Sequence, residues 1–451
     1  MKQKTRFVCQ ECGSISIKWQ GRCPECQNWN TFVEEAEVSH NKANKNVKRY
    51  AEKLKDITIS NNIRLTTGIE EFDRVLGGGL VKGSLVLIGG VPGIGKSTLI
   101  LEASNMISGK FGKVLYVSAE ESPVQIKLRA DRLKINSEEL YLLSETDIDS
   151  IKSVIKEIDP VLVVLDSVQT IYKSSFESSA GTISQVREIA REAMEFAKEN
   201  NVTVILVGHV TKDGILAGPR FLEHMVDAVL YFEGENFQAF RILKTVKNRF
   251  GATNEVGVFE MTQSGLKEIQ NASEFFLSQR VKDSSGSVIV PVVEGTRSML
   301  VELQALVSKT NFGIPSRKSS GVDSNRLSLI IAVLEKRAGV FLGNSDIFVN
   351  VAGGISVDDL SLDLAVAVSI YSGVKNISID NDIIVLGELG LGGEVRAIPN
   401  FDMRIKEAKR MGFNKALVPE GNINKESEKT GIRLIGVNNI KSALGWFKTD
   451  D

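Results

Sequence analysis

The sequence SLVLIGGVPGIGKSTLI, residues 84–100, decides the fold of this chain. Its first seven residues, 84–90, are typical of a buried strand, and the residues from Lys96 onward are typical of the start of a helix. Between them lies the pattern G-x-x-x-x-G-K-S, from Gly90 to Ser97, whose glycines let backbone N–H groups turn inward around phosphate oxygens. The strand, loop and helix together predict a nucleotide-binding loop; the alternative is a glycine-rich turn without a chemical role.

The residue types in this loop predict how it would hold ATP. We expect the Lys96 ammonium to meet the β- and γ-phosphates and the Ser97 hydroxyl to hold Mg²⁺. The predicted nucleotide contacts are Gly90, Val91, Pro92, Gly93, Ile94, Gly95, Lys96, Ser97, Thr98 and Asp166.

Polar residues follow three further apolar runs, at the positions where a doubly wound parallel sheet places its ligands. The first run leads to Glu120, the second to Asp166 and the third to His209. Asp166 is the expected Mg²⁺ carboxylate and Glu120 the base that orients an attacking water, although either side chain could instead cap the next helix. His209 either senses the γ-phosphate or makes a structural hydrogen bond. The alternation of strands and helices predicts an α/β fold.

The four cysteines of the chain all precede this region, at Cys9, Cys12, Cys23 and Cys26. Two C-x-x-C pairs separated by ten residues are typical of zinc ribbons, in which four thiolates hold one tetrahedral ion. The alternatives are two disulfides or unused thiols. Disulfides need an oxidising compartment, whereas the chain opens MKQKTRFVCQ without the apolar core of a signal peptide. We therefore expect a structural Zn²⁺ and a cytoplasmic location.

Length and charge set the remaining limits. The 451 residues allow two or three domains, and the net charge of -1 gives no overall attraction to nucleic acid. A local basic stretch, NKANKNVKRYAEKLK at 41–55, is either a solvated linker or an arm that contacts phosphates. No apolar run approaches the roughly 20 residues of a membrane span, so we expect no membrane segment.

Two segments carry a resemblance to a known family. TTGIEEFDRVLGGGLVKGSLVLIGGVPGIGKSTL, residues 66–99, resembles the opening of the RecA-like ATPase core, and KNRFG at 247–251 resembles the signature of the bacterial RadA, or Sms, family of DNA repair proteins. In RecA-like rings ATP lies between neighbouring subunits. The resemblance therefore implies a catalytic role for Lys247 and Arg249, which would reach toward a nucleotide or respond to DNA. Without it, the pair could be a surface feature with local salt bridges.

The same resemblance points to loops that would touch single-stranded DNA. The candidates are Lys173, Lys212 and Arg220, together with Lys247 and Arg249, while Tyr172 and Phe176 could stack on bases. Ordinary exposed loop residues are the alternative for the first three.

The C-terminal part resembles the proteolytic domain of Lon, most closely over residues 346–451. Ser361 falls where the Lon nucleophile would be, but the Lon lysine base falls at or beside Asp402. Arg404 cannot deprotonate at neutral pH, and Lys406 is expected on a different helical face. We therefore expect a scaffold that assembles rings rather than a peptidase. Its basic residues would bind duplex DNA; these are Lys336, Arg337, Arg396, Arg404 and Lys406.

These observations predict four segments: a zinc ribbon at 1–32, a basic linker at 33–60, a RecA-like ATPase at 61–270 and a Lon-like domain at 271–451. The family resemblance implies a DNA-dependent ATPase in recombinational repair. It would form a homo-oligomeric, hexameric ring that moves on single-stranded and branched DNA, migrates branch points and cooperates with the RecA recombinase. The alternatives are a nucleotide-gated regulatory ring and an ATP-dependent protease.

Overall fold

The structure is a computed structural model. It describes residues 5–9, 14–36, 53, 64–176, 178–209, 221–234, 240–253, 255–310, 313, 315–355, 357–425 and 427–447. The chain forms two compact units, Met1–Glu268 and Ile269–Asp451. Among the described residues, no helix combines the length and the apolar character needed to cross a bilayer.

The N-terminal residues of the first unit form a small antiparallel sheet. Its strands are β1 (Thr5–Cys9), β2 (Ile15–Ser16) and β3 (Phe32–Ala36), in the order β2-β1-β3. Among the described residues, Cys9, Cys23 and Phe32 form its buried cluster, with Phe7 and Cys26 packed against them. A core this small stabilises little by apolar burial, so such a module needs a metal or another crosslink to fold.

The rest of the first unit is an α/β domain built on one large sheet. Its strands are β4 (Arg64–Leu65), β5 (Leu80–Val81), β6 (Leu85–Gly90), β7 (Val114–Ser118), β8 (Leu140–Ser144), β9 (Leu162–Asp166), β10 (Thr203–His209), β11 (Ala228–Glu233), β12 (Phe240–Asn248), β13 (Val256–Thr262) and β14 (Gly265–Glu268). Its helices are α1 (Glu70–Val75), α2 (Lys96–Phe111), α3 (Pro123–Arg132), α4 (Ile148–Ile158), α5 (Ile183–Asn200) and α6 (Phe221–Met225).

Nine of these strands pair in the order β14-β13-β12-β11-β6-β10-β9-β7-β8. The six from β11 to β8 are mutually parallel, and β12, β13 and β14 extend the sheet antiparallel. The α/β fold with a parallel sheet, predicted from the alternating apolar runs, is confirmed.

The central strand β6 is buried on both faces, as a parallel strand covered by helices must be. Val86 and Ile88 pack in one apolar cluster with residues of α2, while Leu85 and Leu87 pack in a second cluster with residues of α4 and α5. Alternate residues of a strand point to opposite faces, so this continuous apolar run fixes helices on both sides of the sheet.

Parallel pairing brings the ends of the strands to one edge of the sheet. Gly90 at the end of β6 is level with His209 at the end of β10, and Asp166 at the end of β9 is level with Ser118 and Val207. The peptide bond from Asp166 to Ser167 is cis. This edge is where the topology gathers polar side chains.

The second unit contains a seven-stranded mixed sheet in the order β17-β18-β16-β15-β19-β22-β23. Its strands are β15 (Ser287–Glu294), β16 (Arg297–Lys309), β17 (Arg317–Ser320), β18 (Ser345–Val351), β19 (Ile383–Val385), β20 (Glu388–Leu389), β21 (Val395–Arg396), β22 (Lys415–Pro419) and β23 (Arg433–Val437). Its helices are α7 (Ala272–Leu277), α8 (Ser324–Val333), α9 (Asp363–Lys375), α10 (Phe401–Arg410) and α11 (Ile440–Gly445).

Candidate nucleotide and zinc sites

The predicted phosphate loop connects β6 to α2 and is bent at its glycines. Gly93 and Gly95 have φ of 78° and 116°, a region that favours glycine. At Gly90 a Cβ atom would lie 3.0 Å from the Phe232 Cβ and 3.1 Å from the Ile94 Cγ2, so a side chain would crowd the loop. Gly95 is the N-cap of α2 and makes no side-chain cap, which leaves the first N–H groups of this helix as donors for an anion.

Lys96 is buried beneath this loop. Its Nζ donates to the carbonyl oxygens of Gly90 at 2.7 Å and Val91 at 3.1 Å, and lies 3.3 Å from the His209 Nδ1. Burial lowers the pKa of Lys96 to about 8, against the opposing effects of Asp166 and Glu120. Carbonyl and imidazole acceptors are weaker partners for an ammonium than a phosphate group, so phosphate would compete well for this side chain.

Glu120 and His209 form a continuous polar chain with Lys96. The His209 Nε2 lies 3.2 Å from the Glu120 Oε1, which also accepts a hydrogen bond from the Ser167 hydroxyl. Because the Lys96 ammonium can only donate, Nδ1 is the acceptor and Nε2 carries the proton that His209 donates to Glu120. The neighbouring Glu121 is paired with Arg129 instead, so Glu120 is the acidic residue of this pair that joins the chain.

Asp166 and Ser97 lie around the hydroxyl of Tyr116. The Tyr116 Oη donates to the Asp166 Oδ2 at 2.5 Å and also hydrogen-bonds to the Ser97 side chain. Burial, and after it the Asp166 carboxylate, raises the pKa of Tyr116 well above its usual value, so this hydroxyl stays protonated. A hydroxyl and a carboxylate held together are hard oxygen ligands of the kind that Mg²⁺ prefers. Ser97 and Asp166 therefore fit the predicted magnesium site.

Lys247 and Arg249 lie at the opposite end of the sheet. The Lys247 Nζ donates to the carbonyl oxygens of Glu223 at 2.7 Å and His224 at 3.2 Å. Burial, followed by the nearby Arg249 charge, lowers the pKa of Lys247. Arg249 follows the last residue of β12, and its Nη1 lies 3.0 Å from the Asp227 Oδ1.

The strand register fixes the distance between this pair and the phosphate loop. The end of β12 is level with the start of β6, and the loop follows the other end of β6. Arg249 is level with Leu85, five residue steps from Gly90, or about 17 Å at about 3.3 Å per residue, and Lys247 is level with Leu87, three steps or about 10 Å from Gly90. Neither Lys247 nor Arg249 contacts the phosphate loop of its own chain, so the structure does not bring these two predicted catalytic residues together with Lys96 and Glu120.

Of the other predicted DNA contacts, Lys173 is among the described residues. The Lys173 Nζ is paired with Glu188 at 3.1 Å and Glu192 at 2.6 Å on α5, and its side chain is only 17% exposed. Two carboxylates already neutralise this ammonium, which argues against a DNA contact. Lys212 and Arg220 lie outside the described residues.

Three of the four cysteines converge in the small N-terminal sheet. The Sγ atoms of Cys9, Cys23 and Cys26 lie within 4.8 Å of one another, and those of Cys9 and Cys26 are 3.7 Å apart. A disulfide would place them about 2.05 Å apart. By contrast, Zn–S bonds of about 2.3 Å in a tetrahedron set neighbouring sulfurs about 3.8 Å apart. The cluster therefore fits zinc rather than a disulfide; Cys12 lies outside the described residues.

The pocket around Ser361 in the second unit holds a guanidinium. The Arg404 Nη1 donates to the Ser361 Oγ and to the Pro291 carbonyl, both at 2.7 Å, and forms an ion pair with the Asp359 Oδ2, also at 2.7 Å. Arg404 is 2% exposed, whereas Asp402 and Lys406 are exposed on the same helix. A guanidinium does not act as a base, so the side chain that faces Ser361 cannot take the proton of a serine nucleophile.

Several residues of the nucleotide site could not be found from the sequence motifs. Tyr116 lies inside an apolar run, two residues before the end of β7. Its hydroxyl is the one feature of the sequence that could have indicated a role in the site. Gln169 donates to the His209 carbonyl at 3.3 Å, while its buried Oε1 has no hydrogen-bond partner among the described residues. Arg241 contacts the phosphate loop from β12, with 147 residues between the two positions.

Comparisons with known proteins found two matching family profiles and several similar solved structures. A family profile described as an AAA domain matches residues 4–214, and one described as subunit ChlI of Mg-chelatase matches residues 322–422. Among solved structures, the RadB recombinase is 26% identical and covers 46% of this chain and 100% of its own, with a TM-score of 0.37. A KaiC-like protein from Pyrococcus horikoshii is 20% identical and covers 46% of this chain and 98% of its own, also with a TM-score of 0.37.

Similarity to curated relatives extends over nearly the whole chain. The DNA repair protein RadA of Bacillus subtilis is 50% identical over 98% of this chain and 98% of its own length. RadA of Aquifex aeolicus is 49% identical over 98% of this chain and 99% of its own. Identity at this level over full-length partners shows that the chain belongs to the RadA family.

Proposed function

We propose that this chain is a DNA-dependent ATPase of recombinational DNA repair. In this proposal it is a ring-shaped helicase that moves along single-stranded DNA and migrates branch points. The observation that carries the proposal is the convergence of Lys96, Glu120 and Asp166 at one edge of the parallel sheet, beside a phosphate loop. The RadA relatives support its assignment to DNA repair.

The geometry gives each residue of this cluster a part in phosphoryl transfer. Among the described residues, Ser167 and His209 both hydrogen-bond to the Oε1 atom of Glu120. The Oε2 atom can therefore accept a hydrogen bond from an attacking water. His209 holds that carboxylate and Lys96 in one chain, so a phosphate that draws Lys96 away from Gly90 also changes the position of Glu120. A Mg²⁺ ion held by Ser97 and Asp166 would neutralise charge on the phosphate oxygens.

Lys247 and Arg249 act on the nucleotide of a neighbouring subunit in this proposal. Within its own chain Lys247 donates to the carbonyl oxygens of Glu223 and His224, and Arg249 pairs with Asp227, which supports a role for both toward a neighbour. An arginine supplied from a neighbour stabilises transition-state charge in other phosphate-transfer enzymes. A closed ring, for which we propose six subunits, gives every site such a neighbour.

The remaining parts of the proposal rest on the family resemblance and on local chemistry. They are a division into a zinc ribbon at 1–32, a linker at 33–60, an ATPase at 61–270 and a Lon-like domain at 271–451. They further include branched DNA as substrate, the RecA recombinase as partner and a cytoplasmic location. Lys212 and Arg220 stay proposed DNA contacts.

A nucleotide-gated regulatory ring is the second candidate, because the same phosphate loop would serve it without DNA-stimulated turnover. An ATP-dependent protease is not favoured. Arg404, which donates to the Ser361 hydroxyl, cannot act as the base that a serine nucleophile requires.

The decisive experiment is steady-state ATP hydrolysis by the full chain, alone, with single-stranded DNA and with duplex DNA. Lys96→Arg serves as the blank, since it keeps the charge but moves it away from the loop. Lys110→Arg on the same helix is the matched control, because Lys110 is exposed and donates to the Thr66 hydroxyl. Stimulation by single strands that is lost in Lys96→Arg and kept in Lys110→Arg would support the motor. Turnover indifferent to DNA would favour the regulatory ring.

A further inference from the structure

A buried cation lies beside the phosphate loop without a part in the mechanism described above. Arg241, the second residue of β12, is 4% exposed. Its Nε donates to the carbonyl oxygen of Ile94 at 3.2 Å, and its Nη1 donates to the carbonyl oxygen of Phe240 at 2.8 Å. The first of these bonds ties β12 to the middle of the phosphate loop.

The Ile94 carbonyl and the Gly95 N–H belong to the same peptide bond, so a contact that holds one also orients the other. Among the described residues the only cis bond is that from Asp166 to Ser167, so the bond between Ile94 and Gly95 is trans. In a trans peptide the C=O and the N–H point in opposite directions. A guanidinium that holds the Ile94 carbonyl toward β12 therefore turns the Gly95 N–H away from β12.

The orientation of the Gly95 N–H matters because this residue is both flexible and placed to bind a phosphate group. It lies directly before α2, where backbone N–H groups hold a phosphate group. Its φ of 116° is open only to glycine, and glycine rotates more freely than any other residue. On one side a Cβ atom at Gly95 would lie 2.7 Å from the Met261 Cε, so β13 limits the loop there. Arg241 limits it from β12.

We propose that Arg241 is a positioning residue for nucleotide binding, which fixes the Gly95 N–H so that it donates to a phosphate of the bound nucleotide. The inference rests on the proposed function, because it presupposes that the loop binds a nucleotide. Burial lowers the pKa of Arg241, since the guanidinium has lost much of its hydration. A desolvated cation makes a stronger hydrogen bond to a carbonyl than a hydrated one does, which suits it to hold the Ile94 oxygen.

The test compares the binding of fluorescent ADP with that of a fluorescent, slowly hydrolysed ATP analogue by the full chain. Arg241→Met removes the donors and keeps an apolar side chain of similar reach. We expect both nucleotides to bind about tenfold more weakly, by the same factor, which corresponds to the loss of one charge-assisted hydrogen bond. Turnover at saturating ATP should change by less than about threefold, since the reacting groups are untouched.

Two further variants separate positioning from general stability. Lys244→Met is the matched control, because Lys244 lies on the same strand and is paired with Glu233 at 3.0 Å. It should bind both nucleotides as the wild type does. Arg241→Lys keeps a cation and a donor, so it should recover much of the lost affinity; it also replaces Arg241→Met in the comparison if that variant does not fold.

Each outcome has one interpretation. Equal weakening for ADP and ATP, with recovery in Arg241→Lys, supports the inference. Weakening for ATP alone would overturn it, because a direct contact to the γ-phosphate would then replace an effect through the loop. Unchanged binding of both nucleotides, with a lowered melting temperature, would also overturn it in favour of a purely structural role. A wild type that binds neither nucleotide would instead refute the proposed function.

Discussion

Mixing two inactive variants should restore ATP hydrolysis if the active site is shared between subunits. The first variant, Lys96→Arg, damages the phosphate loop, and the second, Arg249→Ala, removes the guanidinium at the far end of the sheet. The fold should survive the second change. Arg249 is half exposed in its pair with Asp227, so its loss costs only about 0.5–1 kcal/mol of stability, and Asp227 keeps the Leu85 N–H as a donor.

The expected magnitude follows from the separation of the two residues. Because about 17 Å of β6 separates the level of Arg249 from the phosphate loop, each active site of the proposed ring would take Lys96 from one chain and Arg249 from the next. In a ring assembled at random from equal amounts of the two variants, about one interface in four receives both intact residues. The mixture should therefore hydrolyse ATP at about a quarter of the wild-type rate, although each variant alone is nearly inactive.

The assay is steady-state phosphate release with single-stranded DNA, after the two variants have been unfolded together and refolded to ensure random mixing. A mixture of Lys96→Arg with Glu120→Gln is the matched control. Lys96 and Glu120 belong to one chain of hydrogen bonds through His209, so every site in that mixture has one damaged residue and no activity should return. If the first mixture were as inactive as the second while both formed mixed rings, the shared site would be refuted.

Three further outcomes are expected. Cys26→Ser should release Zn²⁺ and unfold the N-terminal module while α/β secondary structure persists, and a variant that still holds one equivalent of zinc by elemental analysis would contradict the ribbon. Ser361→Ala should leave ATP hydrolysis unchanged. Arg404→Leu should lower the free energy of unfolding by about 3 kcal/mol, since it leaves Asp359 without its cation. Equal denaturation midpoints for the two variants would disprove the structural role of the guanidinium. Although burial opposes it, pairing with Lys152 and Lys173 lowers the pKa of Glu192 to about 2, so its contribution to stability is complete above its unfolded pKa and is lost as the pH falls toward 2. Between about pH 5 and pH 2 the free energy of unfolding of the wild type should therefore fall by up to about 3 kcal/mol more than that of Glu192→Gln, as measured by urea titrations. Parallel curves of unfolding free energy against pH for the two proteins would count against the pairing.

The sequence predicted those parts of the site that depend on local pattern. Gly90, Lys96 and Ser97 are fixed by one loop between a strand and a helix, and Asp166 and His209 each end an apolar run. Parallel pairing then brings these strand ends to one edge, which is why residues more than 100 positions apart could be grouped before the structure was known.

Contacts set by side-chain direction across the fold could not be predicted in this way. The sequence makes Lys173 either a candidate DNA contact or an ordinary exposed loop residue, whereas in the fold α5 presents Glu188 and Glu192 to its ammonium. The lysine position of Lon was placed at or beside Asp402, whereas the helix turns Arg404 toward Ser361. The end of β12 at Asn248 and the level of that end along the sheet depend on pairing with β11, which no local motif records.

One strand connects the two chemical ends of this domain. β12 begins next to the phosphate loop, where Arg241 holds Ile94, and its second-to-last residue, Lys247, lies about 20 Å away over six residue steps. A paired strand is stiff along its length, so a displacement at one end reaches the other with little loss. In a ring built as proposed, β12 of each subunit would contact the neighbouring subunit's nucleotide through Lys247 and its own phosphate loop through Arg241. In such a ring each β12 would connect one nucleotide site to the next, and because coupling between two sites is reciprocal, each nucleotide would alter the affinity of the other site.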